Sequence, residues 1–382
     1  MSTAAIRLLA ISLILISLAG LLALGGCGTT GTKVCSLSGC CGVTSDACVV
    51  PQFLYADGLN GQISIFPIVN GSGIPGTPTS VSGPANSLGM AAINNQFLYA
   101  SNPASPVGGT SSIDAWAIAP GTGALTPLAG SPFSLGPLSF AAGLAVNSNA
   151  QVLYVGDAGR IDALHADDTG ALTPILGSPF PAGTNLYLTV DPLNRFVFAS
   201  DDAPPGNVLA FTISSTGALT AVAGSPFPTI PGYVGTTRPG QVVTDPTGSF
   251  VYTGLLTTGQ VAAFSINATT GALTLVPGSP FPTGNNPLSL ATVNNFLYVS
   301  NFTDGTISGY SIDPTKGALT ALAGSPFAIH GGPLVVSPFG GFLYTTGSGG
   351  LLALSINPQT GALTQVGAAV PYAGATVLTF VP

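Results

Sequence analysis

From residue 52 to the C-terminus, short apolar stretches alternate with turn residues, and the alternation has a longer period of its own. An apolar-aromatic triplet marks each unit, starting at Phe53, Phe97, Val152, Phe196, Phe250, Phe296 and Phe342, at spacings of 44, 55, 44, 54, 46 and 46 residues. Each full unit carries four strand-length signals bounded by Gly, Pro, Asn or Asp. In the sixth, residues 288–293 and 296–300 are apolar runs, 306–312 alternate, and 318–323 form the fourth signal. No helical periodicity of useful length interrupts them. Four antiparallel strands per unit, repeated seven times, predict an all-β chain folded as a seven-bladed β-propeller. A transmembrane β-barrel would show alternation over roughly ten residues without a four-strand super-period.

The same pattern predicts how the ring closes. The seventh unit has its four signals at residues 334–337, 342–346, 351–356 and 362–366, after which 375–381 supply one more strand resembling the first strand of a unit. The first unit has only Cys48-Val49-Val50-Pro51 ahead of Phe53. The C-terminal strand is therefore expected to become the inner strand of blade one, pairing edges that would otherwise stay open.

A second motif recurs between the triplets: TGALTPLAGSPF from Thr122, with near copies from Thr169, Thr216, Thr270 and Lys316 and a shortened one from Thr360. In the copy from Thr270, Gly271 should turn the chain into the outermost strand and residues 272–276 should form it. Gly278-Ser279-Pro280 should end it, and Phe281 should pack between blades. Asp191-Pro192, Asp245-Pro246, Asp313-Pro314 and Asn357-Pro358 predict tight turns, since Pro presets φ and Asp or Asn bonds nearby backbone.

Composition narrows the setting. Charged residues are 5% of the chain, against roughly a quarter in ordinary soluble proteins. All thirteen acids are Asp, and past residue 26 the cations are Lys33, Arg160, Arg195, Arg238 and Lys316. That set offers no footprint for a phosphate backbone, so nucleic-acid binding is excluded. The N-terminus reads as a targeting segment, with Arg7 followed by an apolar run over residues 8–24. Leu24-Gly25-Gly26-Cys27 resembles a bacterial lipobox, which implies cleavage after residue 26, lipidation of Cys27 and a membrane anchor at the cell envelope. Gly28 in the next position resembles outer-membrane sorting, and a periplasmic or extracellular face is the other placement. An ordinary cleaved signal peptide or an uncleaved anchor helix is the alternative. Residues 27–51 then form a Gly/Ser/Thr-rich stalk carrying Cys35, Cys40, Cys41 and Cys48. Two disulfides in any of three pairings are expected in an oxidising compartment. Free thiols remain open, and a zinc site is disfavoured because the spacing matches no common knuckle.

Units such as FLYVSNFTDGTISGYSIDPTKGALT, starting at Phe296, resemble the lactonase family, the 6-phosphogluconolactonase-type seven-bladed propellers, and also YVTN-type repeats of surface proteins. The resemblance covers residues 52–382. It implies the propeller fold and, as an activity, hydrolysis of a sugar lactone. Sites in lactone-processing relatives use His, Arg and Glu, whereas this chain has no Glu and only two histidines, His165 and His330. Gluconolactonase-like propellers bind a divalent metal through a Glu and Asn/Asp set that is incomplete here for the same reason, so neither metal nor cofactor is expected.

Read from the residues themselves, the chemistry concentrates on one face. In a propeller the loops joining second to third strands, and blade to blade, emerge together. That face should carry Asp57, Asp157, Arg160, Asp201, Asp202, Asp304, Tyr233, Arg238 and His330, together with two insertions at 102–112 and 228–241. These are the candidate ligand-binding residues; Asp157 or Asp202 with His330 is the candidate acid/base pair. Asp201-Asp202 is a weaker candidate for calcium. The competing explanation is that Asp-Gly and Asp-Ala-Gly are good turn formers. His165 aligns with Ser311 and Ser355 as a strand-surface residue, and Trp116 aligns with Phe211, Phe264 and Tyr310 as blade packing. The expected function is a monomeric, lipid-anchored module that binds or scaffolds a small molecule, glycan or protein through the loop face. Lactone hydrolysis is the alternative, and a structural adhesion protein the third possibility.

Overall fold

The structure, a computed structural model, describes residues 52–381 apart from residues 59, 70, 86, 104–109, 138–140, 158, 185, 186, 348 and 373. The leader, Cys27, the cysteines at 35, 40, 41 and 48, and most of the first insertion lie outside the described residues.

Seven antiparallel sheets, each of four strands in succession, form the blades. The sixth runs Pro287–Val293, Phe296–Asn301, Thr306–Ile312 and Leu319–Ala321, within two residues of the sequence expectation at every boundary. Ala375–Val381 pairs antiparallel with Gln52–Gly58 as the inner strand of blade one, with Phe53 opposite Val381 and Asp57 opposite Val377. The ring is thus closed by the last strand, which leaves blade one no open inner edge.

The core consists of seven hydrophobic layers, each built from two neighbouring blades. The two recurrent motifs meet in these layers. The tyrosine of one blade's triplet donates a hydrogen bond to a glycine carbonyl of the next: Tyr55 to Gly123, Tyr99 to Gly170, Tyr154 to Gly217, Tyr252 to Gly317, Tyr298 to Gly361 and Tyr344 to Gly73, at 2.7–3.0 Å. Blade four has Phe198 at this position and lacks the hydroxyl. The first residue of each triplet lies over the same glycine, so that a Cβ on Gly123 would collide with the ring of Phe53. Gly123 also has φ +66°, a left-handed conformation that glycine adopts without strain.

The outer strand differs from the sequence expectation. Gly278-Ser279-Pro280 interrupts it without ending it, because pairing resumes at Phe281–Pro282 against the start of the third strand. At the break the Ala263 N–H, which has lost a strand partner, donates to Ser279 Oγ at 2.9 Å. Ser131, Ser178, Ser225 and Ser325 do the same for Ala115, Ala163, Ala210 and Gly309. Phe281 is half-buried against the layer between blades five and six. His165 is exposed on the third strand of blade three, opposite Thr173 of the fourth, while Trp116, 4% exposed, lies in the layer between blades one and two.

Candidate functional site

The inner strands of blades one to four line an open cavity of about 340 Å³. Its walls are mainly Ala, Val, Leu, Met90 and Phe380, with Thr189, Thr379 and Asn95 as polar groups. Asn95 belongs to the turn between the first and second strands of blade two, so the cavity extends toward the face opposite the loops. Across the axis, blades five to seven are tied together. Ser289 Oγ and the Leu290 amide donate to Gln241 Oε1 at 2.9 and 2.8 Å, and the Leu334 amide donates to Ser289 Oγ at 2.9 Å. None of the candidate residues read from the sequence lines this cavity.

Those candidates lie at the loop face, distributed around its rim. Two of them, Asp157 and Asp201, end the second strand, three residues past the triplet tyrosine or its equivalent, and Asn301, not a candidate from the sequence, holds the same position in blade six. Asp201 Oδ1 accepts the Thr184 and Ala203 amides at 2.9 and 3.1 Å. At the matching position in blade six, Asn301 Oδ1 accepts the Gly284 amide and the Thr283 hydroxyl at 3.1 and 3.0 Å. Gly183 and Gly284 have no room for a Cβ beside these side chains. In blade three Asp157 forms an ion pair with Arg160 at 3.0 Å, and Arg160 also reaches Asp162 at 3.0 Å and the Leu135 carbonyl at 2.9 Å. This half-buried clamp joins blade three to the outer edge of blade two.

The remaining polar groups are more open. Asp202 accepts from the Thr184 hydroxyl at 2.9 Å and faces Arg238 at 3.9 Å. The Arg238 side chain is 58% exposed and its backbone has φ +44°. Tyr187, half-buried nearby, has its pKa raised by desolvation, an effect the Arg238 charge opposes. Tyr233 and Val234 of the second insertion are exposed. Asp304 accepts the Asn285 amide at 2.7 Å and its side-chain amide at 2.9 Å, bonds that hold its pKa below the ordinary value. His330 is exposed; its ring meets Phe302 edge-on at a centroid separation of 6.4 Å and lies over Gly305. Asp157, Asp202 and His330 therefore have their nearest partners on three different blade edges. Among the described residues no three His, Cys, Asp or Glu side chains form a metal-ligating group.

Asp57 is the exception among the carboxylates. It is fully buried, and neither of its oxygens makes a hydrogen bond of normal geometry. Burial pushes its pKa up to about 7, against the opposing pull of the nearby Ser87 hydroxyl and Gly58 amide. The Asp114 charge adds to the rise. Ser87 and Asp114 were not singled out from the sequence. Aligning the repeats by strand register supplies the missing signal, because Asp57 occupies a position filled elsewhere by Ser101, Gly156, Ser200, Gly254, Ser300 and Thr346.

A family model described as lactonase, 7-bladed beta-propeller matches residues 113–288 and 206–326, together more than half of the chain. Among solved structures, the chain is similar to a candidate 6-phosphogluconolactonase of Bacteroides fragilis, with 18% identity, TM-score 0.73, and coverage of 89% of this chain and 100% of that one. It is also similar to the periplasmic gluconolactonase of Pseudomonas aeruginosa, with 18% identity, TM-score 0.71, and coverage of 87% and 99%. At that identity the likeness is one of fold. No curated protein matches the chain in sequence.

Proposed function

The chain belongs to the lactonase family of seven-bladed β-propellers, and on that premise we propose that it hydrolyses a lactone of an uncharged sugar acid at its polar loop face. The family match is the observation that carries this reading, and it favours hydrolysis over the binding or scaffolding module expected from the residues alone. The fold supports it, since loops on a rigid scaffold are where binding and catalytic groups concentrate.

Charge argues for an uncharged substrate. Asp57, Asp157, Asp201, Asp202 and Asp304 all belong to the loop face. Of its two arginines, Arg160 is held between Asp157 and Asp162, which leaves Arg238 as the accessible guanidinium. A phosphorylated lactone would bring two further negative charges to a face with one such counterion. In the proposed reaction water adds to the lactone carbonyl, the ring C–O bond breaks, and the ring oxygen gains a proton. Arg238 is assigned to the oxyanion, where a fixed positive charge lowers the barrier. His330 lies in a separate cluster, so Asp202, which faces Arg238 at 3.9 Å, is the candidate proton acceptor. The divalent-metal set of gluconolactonase-like propellers requires a Glu that this chain lacks, so no step is routed through a metal. Envelope anchoring through acylated Cys27 belongs to the same proposal, supported by the segment ending Leu24-Gly25-Gly26-Cys27.

The test is titrimetric hydrolysis at constant pH by the purified protein. D-glucono-1,5-lactone should be turned over above its spontaneous rate, with a kcat/KM at least tenfold that of its 6-phosphate. Saturable lactone binding without turnover would return the binding-module reading, and preference for the phosphate would overturn the charge argument.

A further inference from the structure

The register of the strands determines what faces Asp57. Side chains two apart on a strand point the same way. Tyr55 reaches into blade two, so Asp57 points there as well. In blade two, Tyr99 points onward to blade three. Ala100 and its strand partner Asp114 must therefore point back toward blade one, as must Asn102. Asp57 and Asp114 thus face the same interface from its two sides. Asn102 donates to Asp114 at 3.3 Å, and Ser87 stands beside Asp57.

The next interface shows what such a pair needs. Asp157 and Asp162 occupy the positions of Asn102 and Asp114 one blade further on, and Arg160 bridges them. The residue of blade two in register with Arg160 is Ser112. Each cleft thus holds two carboxylates, but the cleft between blades one and two has no arginine, and the buried oxygens of Asp57 make no hydrogen bond of normal geometry, only looser contacts with Ser87 and Gly58. The groups around the pair (Ser87 beside Asp57 and Asn102 beside Asp114) offer oxygen ligands and no thiolate or imidazole.

We propose that the loop-face cleft between blades one and two binds a hard divalent cation, calcium by its ligand chemistry, through Asp57 and Asp114. Oxygen donors with no imposed octahedral geometry suit calcium over magnesium, and a charge count of two places the affinity in the weak range, about 10⁻⁴–10⁻³ M. The cation takes the place that Arg160 fills in the next cleft and joins blade one, which carries the ring closure, to blade two. This role is structural and does not depend on lactone hydrolysis.

Equilibrium dialysis of the full chain at pH 8 after EDTA treatment tests it, with thermal unfolding in 10 mM CaCl₂ against KCl of equal ionic strength. One calcium per chain should bind, and the midpoint should rise by roughly 2 °C or more. Asp57→Asn and Asp114→Asn should each abolish both effects. Asp57→Asn should also match or exceed the wild-type midpoint in EDTA, because it removes a buried charge, so its loss of binding is not unfolding. No bound calcium, an equal shift from potassium or magnesium, or calcium binding by Asp57→Asn at wild-type strength would overturn the assignment. Failure of the lactone assay would leave it untouched.

Discussion

Tyr298 and Gly361 are 63 positions apart and joined by a single 2.7 Å hydrogen bond. Recurrence made both motifs conspicuous, but a period does not reveal that the tyrosine of one unit is completed by the glycine of the next. Blade one conceals the pairing further, because Gly73 takes the glycine role in a segment, Gly71-Ser72-Gly73-Ile74, that looks unlike the other copies. Asp57 was legible as a loop-face acid but not as a buried one, since the blade-two groups that cover it, Ser87 and Asp114, face it only through the strand register. Its titration has a defined sign. The folded carboxyl sits at about 7, above the ~3.9 of an unfolded aspartate, so the folded state holds the proton more tightly. Without calcium, its contribution is full below pH ~4, is lost as pH rises from there through 7, and is then level, a span of up to ~4 kcal/mol. Urea unfolding of wild type and Asp57→Asn in EDTA should show the difference between the two changing in that window. A constant difference from pH 4 to 8 would mean that Asp57 does not titrate there.

Strand positions followed closely from the sequence, because four apolar runs between turn residues leave few alternatives. The outer strand was misread for a physical reason. Gly-Ser-Pro is an equally good signal for the end of a strand and for an interruption within one, and proline is tolerated at a sheet edge. What distinguishes the two is Ser279, whose hydroxyl replaces a missing strand acceptor for Ala263. Ser279→Ala should therefore cost about 1–2 kcal/mol by stranding that amide. Phe281→Ala should cost about 1–3 kcal/mol, less than the 3–5 of a fully buried aromatic, because the ring is only half-buried. Chemical denaturation of the two variants checks both; a larger loss for Phe281 than for any fully buried ring would contradict the half-exposed placement.

For the molecule as a whole, blade number and ring closure were readable from spacing and from one surplus strand. Convergence of the candidate site was not. Strand topology puts Asp157, Asp202, Arg238 and His330 on one face, but which of them meet depends on loop length and side-chain direction. The structure answers with separate clusters, several of which hold loops in place. Two kinds of residue are thus distinct: repeating ones build the ring, and non-repeating ones on the loop face are those proposed to act on a ligand. Measuring kcat/KM for D-glucono-1,5-lactone alongside the thermal midpoint, for Tyr298→Phe and Arg238→Ala, tests that separation directly. Tyr298→Phe should lower the midpoint, with about 1–2 kcal/mol lost, and leave kcat/KM within about twofold. Arg238→Ala should leave the midpoint nearly unchanged and lower kcat/KM by about tenfold or more. Full activity in Arg238→Ala, or activity lost with Tyr298→Phe while the fold stays intact, would contradict it.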